Sequence, residues 1–77
     1  MPIDWKQCAD VESKPDVMSG TAVIRGTRIP AQAVIDNADD GYSPERIAME
    51  IYEGLPIEPA RRVIEFARKA RNASAAL

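Results

Sequence analysis

The pentapeptide Gly26-Thr27-Arg28-Ile29-Pro30 separates two different residue patterns, and any fold of this chain must make that change of pattern within five residues. Before it come the β-branched residues Val11, Val17, Val23 and Ile24, broken by Lys14-Pro15-Asp16 and Ser19-Gly20, which read as turns. After it the apolar residues recur at helical spacing. Glycine admits a positive φ, threonine and isoleucine favour extended backbone, and proline presets the φ of a first helical turn. The pentapeptide therefore reads as the end of a strand running into the start of a helix.

Short strands are expected near residues 8–12 and 22–25, paired as a small sheet that must pack on helices or on a second copy of the chain. The first helix follows Pro30, with Ala31, Val34, Ile35 and Ala38 on one side, and ends before Asp39-Asp40-Gly41. The second is announced by Ser43 as cap, Pro44 at the first position and Glu45 at the positive end of the dipole, with Tyr42 placed to staple onto Ile47. Its apolar set is Ile47, Ala48 and Ile51, and Gly54 stops it within about ten residues. The third runs from about Ile57 to Arg71, with Ile57, Ala60, Ile64 and Ala67 on its apolar side, widened by Val63, Phe66 and Ala70. Phe66 stands at the edge of that side, either closing the monomer core or offering a dimer contact. The expected architecture is an α+β domain over residues 1–77: a β-rich segment 1–29 forming a hairpin, a three-helix, homeodomain-like helix-turn-helix over 30–71, and a frayed tail at 72–77.

Seventy-seven residues bury too small a fraction of their surface to be strongly stable unaided. Cys8 is the only cysteine and there is no histidine, so neither a disulfide nor an ordinary zinc site is available, and self-association is the remaining common support. No stretch approaches the roughly 18 apolar residues of a membrane span, and Met1–Lys6 lacks the pattern of a secretory leader. The expectation is a soluble, cytoplasmic protein without cofactor. The net charge of −2 conceals an asymmetry. From residue 61 onward Arg61, Arg62, Arg68, Lys69 and Arg71 face only Glu65, a local charge of +4, whereas the first sixty residues carry five basic and eleven acidic side chains, a charge of −6. A basic last helix on an acidic body suits a module with one face for phosphate and another for a protein.

Catalysis finds little support. Without histidine, Cys8 or Ser43 has no usual base, and Ser43 is already a cap. Asp36, Asp39 and Asp40 could hold magnesium with substrate phosphates, or simply solvate the end of the first helix. Two helices joined by a tight glycine-containing turn, by contrast, form a helix-turn-helix. Its second helix would place Glu58, Arg61, Arg62 and Glu65 nearest base edges, with Arg68 and Lys69 along the phosphates. The plainer reading pairs Glu58 with Arg62 and Glu65 with Lys69 as surface i, i+4 partners.

The chain resembles a family of small prokaryotic proteins of formerly unknown function, regarded as VapB-like antitoxins. The resemblance rests on Pro15-Asp16-Val17-Met18-Ser19-Gly20, Val23-Ile24-Arg25-Gly26-Thr27-Arg28-Ile29-Pro30, Gly41-Tyr42-Ser43-Pro44-Glu45-Arg46-Ile47 and the apolar pattern from Leu55 to Ala67. Ala22 stands where that family usually has proline, and Pro56 and Pro59 replace a capping hydroxyl and an acid. The resemblance implies a type II toxin-antitoxin system: a partner resembling PIN-domain ribonuclease toxins, a homodimer, and repression by binding the system's own promoter DNA. The N-terminal sheet and the junction then become the expected toxin contact, with Arg25 or Arg28 set to pair with carboxylates of a magnesium-dependent nuclease. Arg28 has a second reading, as an internal brace to loop carbonyls or Asp36.

Overall fold

Val23 and Ile24 are wholly buried, and they form strand β2 (Val23–Ile24), which pairs antiparallel with β1 (Val11–Glu12) in the computed structural model. The structure describes residues 3–75. Three helices follow the hairpin: α1 (Ala31–Asp39), α2 (Pro44–Glu50) and α3 (Ile57–Ala75), an α+β fold. Both strands are shorter than the sequence suggests. A 3-10 turn over Trp5–Gln7 and a further turn at Ala9–Asp10 consume the start of β1, and β2 turns away at Arg25–Gly26.

The junction folds back on β2. The Ile24 amide donates to the Ile29 carbonyl at 2.9 Å, and Val23 forms a bridge with Pro30. Gly26 makes the reversal at φ +79°, a left-handed conformation that costs glycine little. Thr27 closes it: its hydroxyl donates to the Ile24 carbonyl and accepts from the Ile29 amide. Pro30 is extended (φ −62°, ψ 133°) and stands as the cap rather than inside the helix. No side chain caps α1; instead the Ala31 amide donates to the carbonyl of Ala22, the residue just before β2, at 3.0 Å, so the backbone satisfies one of the free amides of the helix start. Between the strands, Met18, Ser19 and Gly20 all take positive φ, and the Ser13 hydroxyl donates to the Gly20 carbonyl.

Val34 and Ile35 of α1, Ile47 of α2, and Ala60, Val63, Ile64 and Ala67 of α3 meet Ile24 in one apolar core. Ser43 caps α2 by accepting from the Arg46 amide at 3.2 Å, with Pro44 at the first position, as the sequence indicates. That helix ends sooner than expected, after seven residues, because Ile51 leaves helical geometry and Gly54 (φ +87°) turns the chain toward α3. Only Ile47 of its apolar set is buried; Ala48 packs at the core's margin and Ile51 is exposed. The third helix continues past Arg71 to Ala75, since alanine propagates a helix well, and residues 76–77 of the expected frayed tail lie outside the described residues. Phe66 meets Trp5 with ring centroids 5.9 Å apart. The ring therefore fastens the N-terminal segment onto α3.

Replacing Gly26 by alanine should lower stability by about 1–2 kcal/mol. No atom lies within 4 Å of the added methyl group, so the loss comes from backbone conformation alone. A urea titration followed by Trp5 fluorescence measures it.

Candidate functional site

Most of the arginines that the sequence offers to partners are committed inside the molecule. Arg25 is the first. Its Nε donates to the Ala9 carbonyl at 2.9 Å, its Nη2 to the Val11 carbonyl at 3.3 Å and its Nη1 to Glu12 Oε1 at 3.3 Å. Its own amide donates to the Asp10 carbonyl at 2.8 Å. The Val11 amide is also satisfied, donating to the Cys8 carbonyl, so neither backbone group of Val11 is left for an added strand. The internal brace anticipated at Arg28 is thus supplied by Arg25, which sits three residues closer to the strand it must tie. Glu12 is held on the other side by the Gly26 amide at 2.9 Å. That hydrogen bond first, with the charges of Lys14 and Arg25 behind it, lowers its pKa despite partial desolvation.

Arg28 has a different setting. It is exposed and, among the described residues, makes no side-chain hydrogen bond or ion pair. It lines an open hollow of about 370 Å³ together with Glu12, Lys14, Val17, Gly26 and Thr27. The backbone under it is pinned on both sides by the bonds of Thr27 and Ile29. The result is a guanidinium carried at the surface on a fixed mount.

The basic residues of α3 divide in the same way. Arg62 forms a two-pronged pair with Asp10, both bonds at 2.9 Å, joining the helix to the hairpin. Arg61 pairs with Glu45 of α2 and lies 3.6 Å from Glu58. Arg71 grips Asp39 at the end of α1 with bonds of 2.9 and 3.0 Å. Each pair spans two elements, so the expected i, i+4 partnership of Glu58 with Arg62 gives way to a longer-range one: Asp10 offers both oxygens to the planar fork. Arg68 and Lys69 are exposed, with no ion pair among the described residues, and neither does Glu65 have one. Of the residues that the sequence places toward nucleic acid, Arg61 and Arg62 are therefore bound to carboxylates, Glu58 lies beside Arg61, and Glu65, Arg68 and Lys69 remain available. The aspartates of α1 are engaged too. Asp39 holds Arg71 and Asp36 accepts from Gln32 at 3.0 Å.

Sequence reasoning missed Asp10 and Glu45 as partners because both are distant in sequence from the arginines they hold. It also missed the corner between α2 and α3. There Met49, Ile51 and Ile57 are exposed by 84, 39 and 38 %, among Glu50, Glu53 and Glu58. Arg46 on that side is taken by Glu50 at 2.7 Å and stacks 4.5 Å above the ring of Tyr42.

The family described as "Protein of unknown function (DUF433)" matches residues 11–67, from β1 to the buried face of α3. The chain belongs to the DUF433 family. It is also similar to "Uncharacterized protein y4eO" of Sinorhizobium fredii (strain NBRC 101917 / NGR234), 41% identical over 51 residues that cover 66% of this chain. The chain spans 23% of that relative's length. No solved structure matches. The DUF433 match takes in the whole junction and the pair of Arg61 with Glu45, while Asp10 and Arg71 fall outside it. Among the described residues no helix is long and apolar enough to cross a membrane.

The placement of the arginines sets their expected effects on stability. Arg25→Ala should lose about 1–2 kcal/mol through its hydrogen bonds to the Ala9 and Val11 carbonyls, while Arg28→Ala should change stability by less than about 0.5 kcal/mol; thermal unfolding of both variants tests this. Acid should loosen α3. Arg62 and Arg71 hold the carboxyls of Asp10 and Asp39 below the ordinary aspartate value of 3.8, so the unfolded chain protonates first as the pH falls. Their contribution is complete above that value and disappears as the pH drops through the lowered folded values. Unfolding temperature measured against pH should fall in that window, and less steeply in Arg62→Ala.

Proposed function

We propose that this DUF433 chain is the antitoxin of a type II toxin-antitoxin system and acts by binding a PIN-like ribonuclease toxin through its hairpin and junction. It is a binding protein rather than an enzyme and works in the cytoplasm. The observation that carries the proposal is the contrast between Arg25 and Arg28. The sequence offers either to a partner; Arg25 is spent on the Ala9 and Val11 carbonyls, while Arg28 stands exposed on a pinned backbone beside the hollow it shares with Lys14. A guanidinium presented in that way suits the two-oxygen geometry of a carboxylate in a magnesium-dependent nuclease site. Little of its binding energy would be lost to rearranging the mount.

Promoter binding as a homodimer is the second half of the proposal, and Arg68 and Lys69 favour it. They lie along the outer arc of the helix that follows the α2–α3 turn, where phosphate contacts would fall. Arg61 and Arg62 would first have to leave Glu45 and Asp10, so they add less than their number suggests.

The test is co-expression with the product of the adjacent open reading frame. Arg28→Ala should remain folded and fail to retain that product, whereas Lys6→Ala should retain it; retention by Arg28→Ala would overturn the junction contact. A gel-shift titration on DNA upstream of the gene should show a complex that weakens steeply with salt. Replacing Arg68 and Lys69 should reduce the salt slope by about 1 for each phosphate no longer neutralised. Absence of any shift at low salt would leave protein binding as the function without promoter control.

A further inference from the structure

The carboxylate of Glu12 is held as a protein holds an anion taken from solution. Its Oε2 accepts from the Gly26 amide at 2.9 Å, its Oε1 accepts from Arg25 Nη1 at 3.3 Å, and Lys14 Nζ lies 3.8 Å from the same oxygen. The side chain is only 15% exposed, so the donors that hold it leave it little room to swing away. An amide in a left-handed turn beside cationic groups is a recurrent element of anion-binding hollows, and Gly26, at φ +79°, supplies one here. The Gly26 bond foremost keeps the Glu12 carboxyl below its ordinary value of 4.5, so the group is ionised at neutral pH and has no proton to donate.

Glu12 and Arg28 line the same hollow of about 370 Å³, with Val17 as an apolar wall. The Thr27 hydroxyl beside them is used on both sides, donating to the Ile24 carbonyl and accepting from the Ile29 amide. Arg28 is therefore the group in the hollow that is open to an incoming anion. A carboxylate has two oxygens, and the guanidinium fork serves both. A phosphate carries further oxygens and more charge. In this hollow they would need the Gly26 amide and the Arg25 guanidinium, which Glu12 already holds, and they would stand against a fixed carboxylate that can only accept.

We propose that Glu12 is a specificity-determining residue of the junction: it fills the donors that a phosphate would need and leaves Arg28 open to a carboxylate. This deepens the Arg28 contact proposed above, and rests on it, by naming the residue that selects the anion Arg28 meets. Arg25 and Glu12 thus have different duties although they are bonded to each other. Arg25 ties the chain before β1 and β1 itself through the Ala9 and Val11 carbonyls, while Glu12 is a built-in anion that turns phosphate away from the junction.

The isotope-labelled full chain is titrated near neutral pH with acetate and, separately, with inorganic phosphate at matched ionic strength, and the amide signals of Gly26, Thr27 and Arg28 are followed by NMR. Wild-type chain should respond to acetate at lower concentration than to phosphate. In Glu12→Gln the side-chain oxygen can still accept from the Gly26 amide but carries no charge. Phosphate should bind that variant about tenfold more tightly than it binds the wild type, while acetate affinity changes by less than about threefold. The gain should vanish in the double variant Glu12→Gln/Arg28→Ala. Equal phosphate affinity in wild type and Glu12→Gln, or a gain that survives the loss of Arg28, would overturn the proposal. Tighter binding of phosphate than of acetate by the wild type would also overturn it, and that comparison holds even where Glu12→Gln loses the hairpin. Because these titrations use small anions and the free chain, their failure leaves the partner contact to be judged by co-expression. Retention of the partner by Arg28→Ala would remove that contact and leave the anion selectivity standing.

Discussion

The buried face of α3 is the surface on which the other elements depend. Ala60, Val63, Ile64 and Ala67 receive Val34 and Ile35 from α1, Ile47 from α2 and Ile24 from the hairpin, so the four elements share one apolar centre. A domain of this length has little area to spare, and one helix that serves every neighbour uses it well. The small residues Ala60 and Ala67 let partners approach closely, while Val63 and Ile64 fill the space between. At its outer margin Phe66 meets Trp5, which extends the same contact to the N-terminal segment.

Charge repeats this arrangement on the outside. Arg62, Arg61 and Arg71 leave α3 toward the hairpin, α2 and α1 in turn, each to a carboxylate of that element or its approach. The apolar contacts hold the elements together without direction, and the forked pairs add an angle and a register. The asymmetry of the chain, acidic body against basic last helix, is in large part this internal pairing seen in one dimension. What remains at the surface is sorted by place: Arg28 at the junction, Arg68 and Lys69 on the outer arc of α3, and the acidic, apolar corner before α3.

The elements are legible in the sequence wherever their cause is local. Ser43 with Pro44 marks the start of α2 through groups within three residues, and Gly26 marks the reversal through its own φ. The apolar spacing of Ala31, Val34, Ile35 and Ala38 gives α1 its place, though one amide of its start is satisfied by Ala22, just before β2, which no local pattern discloses. Ile51 and Ile57 belong to apolar stripes by spacing and yet are exposed, because α2 ends at Glu50 and the turn carries them off the core.

Periodicity and turn chemistry in the sequence were enough to determine a hairpin followed by three helices, because the extended preference of β-branched residues, capping and glycine conformation act over a few residues. Which arginines are occupied and which are presented was decided only by the tertiary structure. Asp10 lies 52 positions from Arg62 and Asp39 lies 32 from Arg71, and a hydrogen bond acts over ångströms in space whatever the separation along the chain. The same folding that spends Arg25 on the Ala9 and Val11 carbonyls leaves Arg28, three residues away, facing outward.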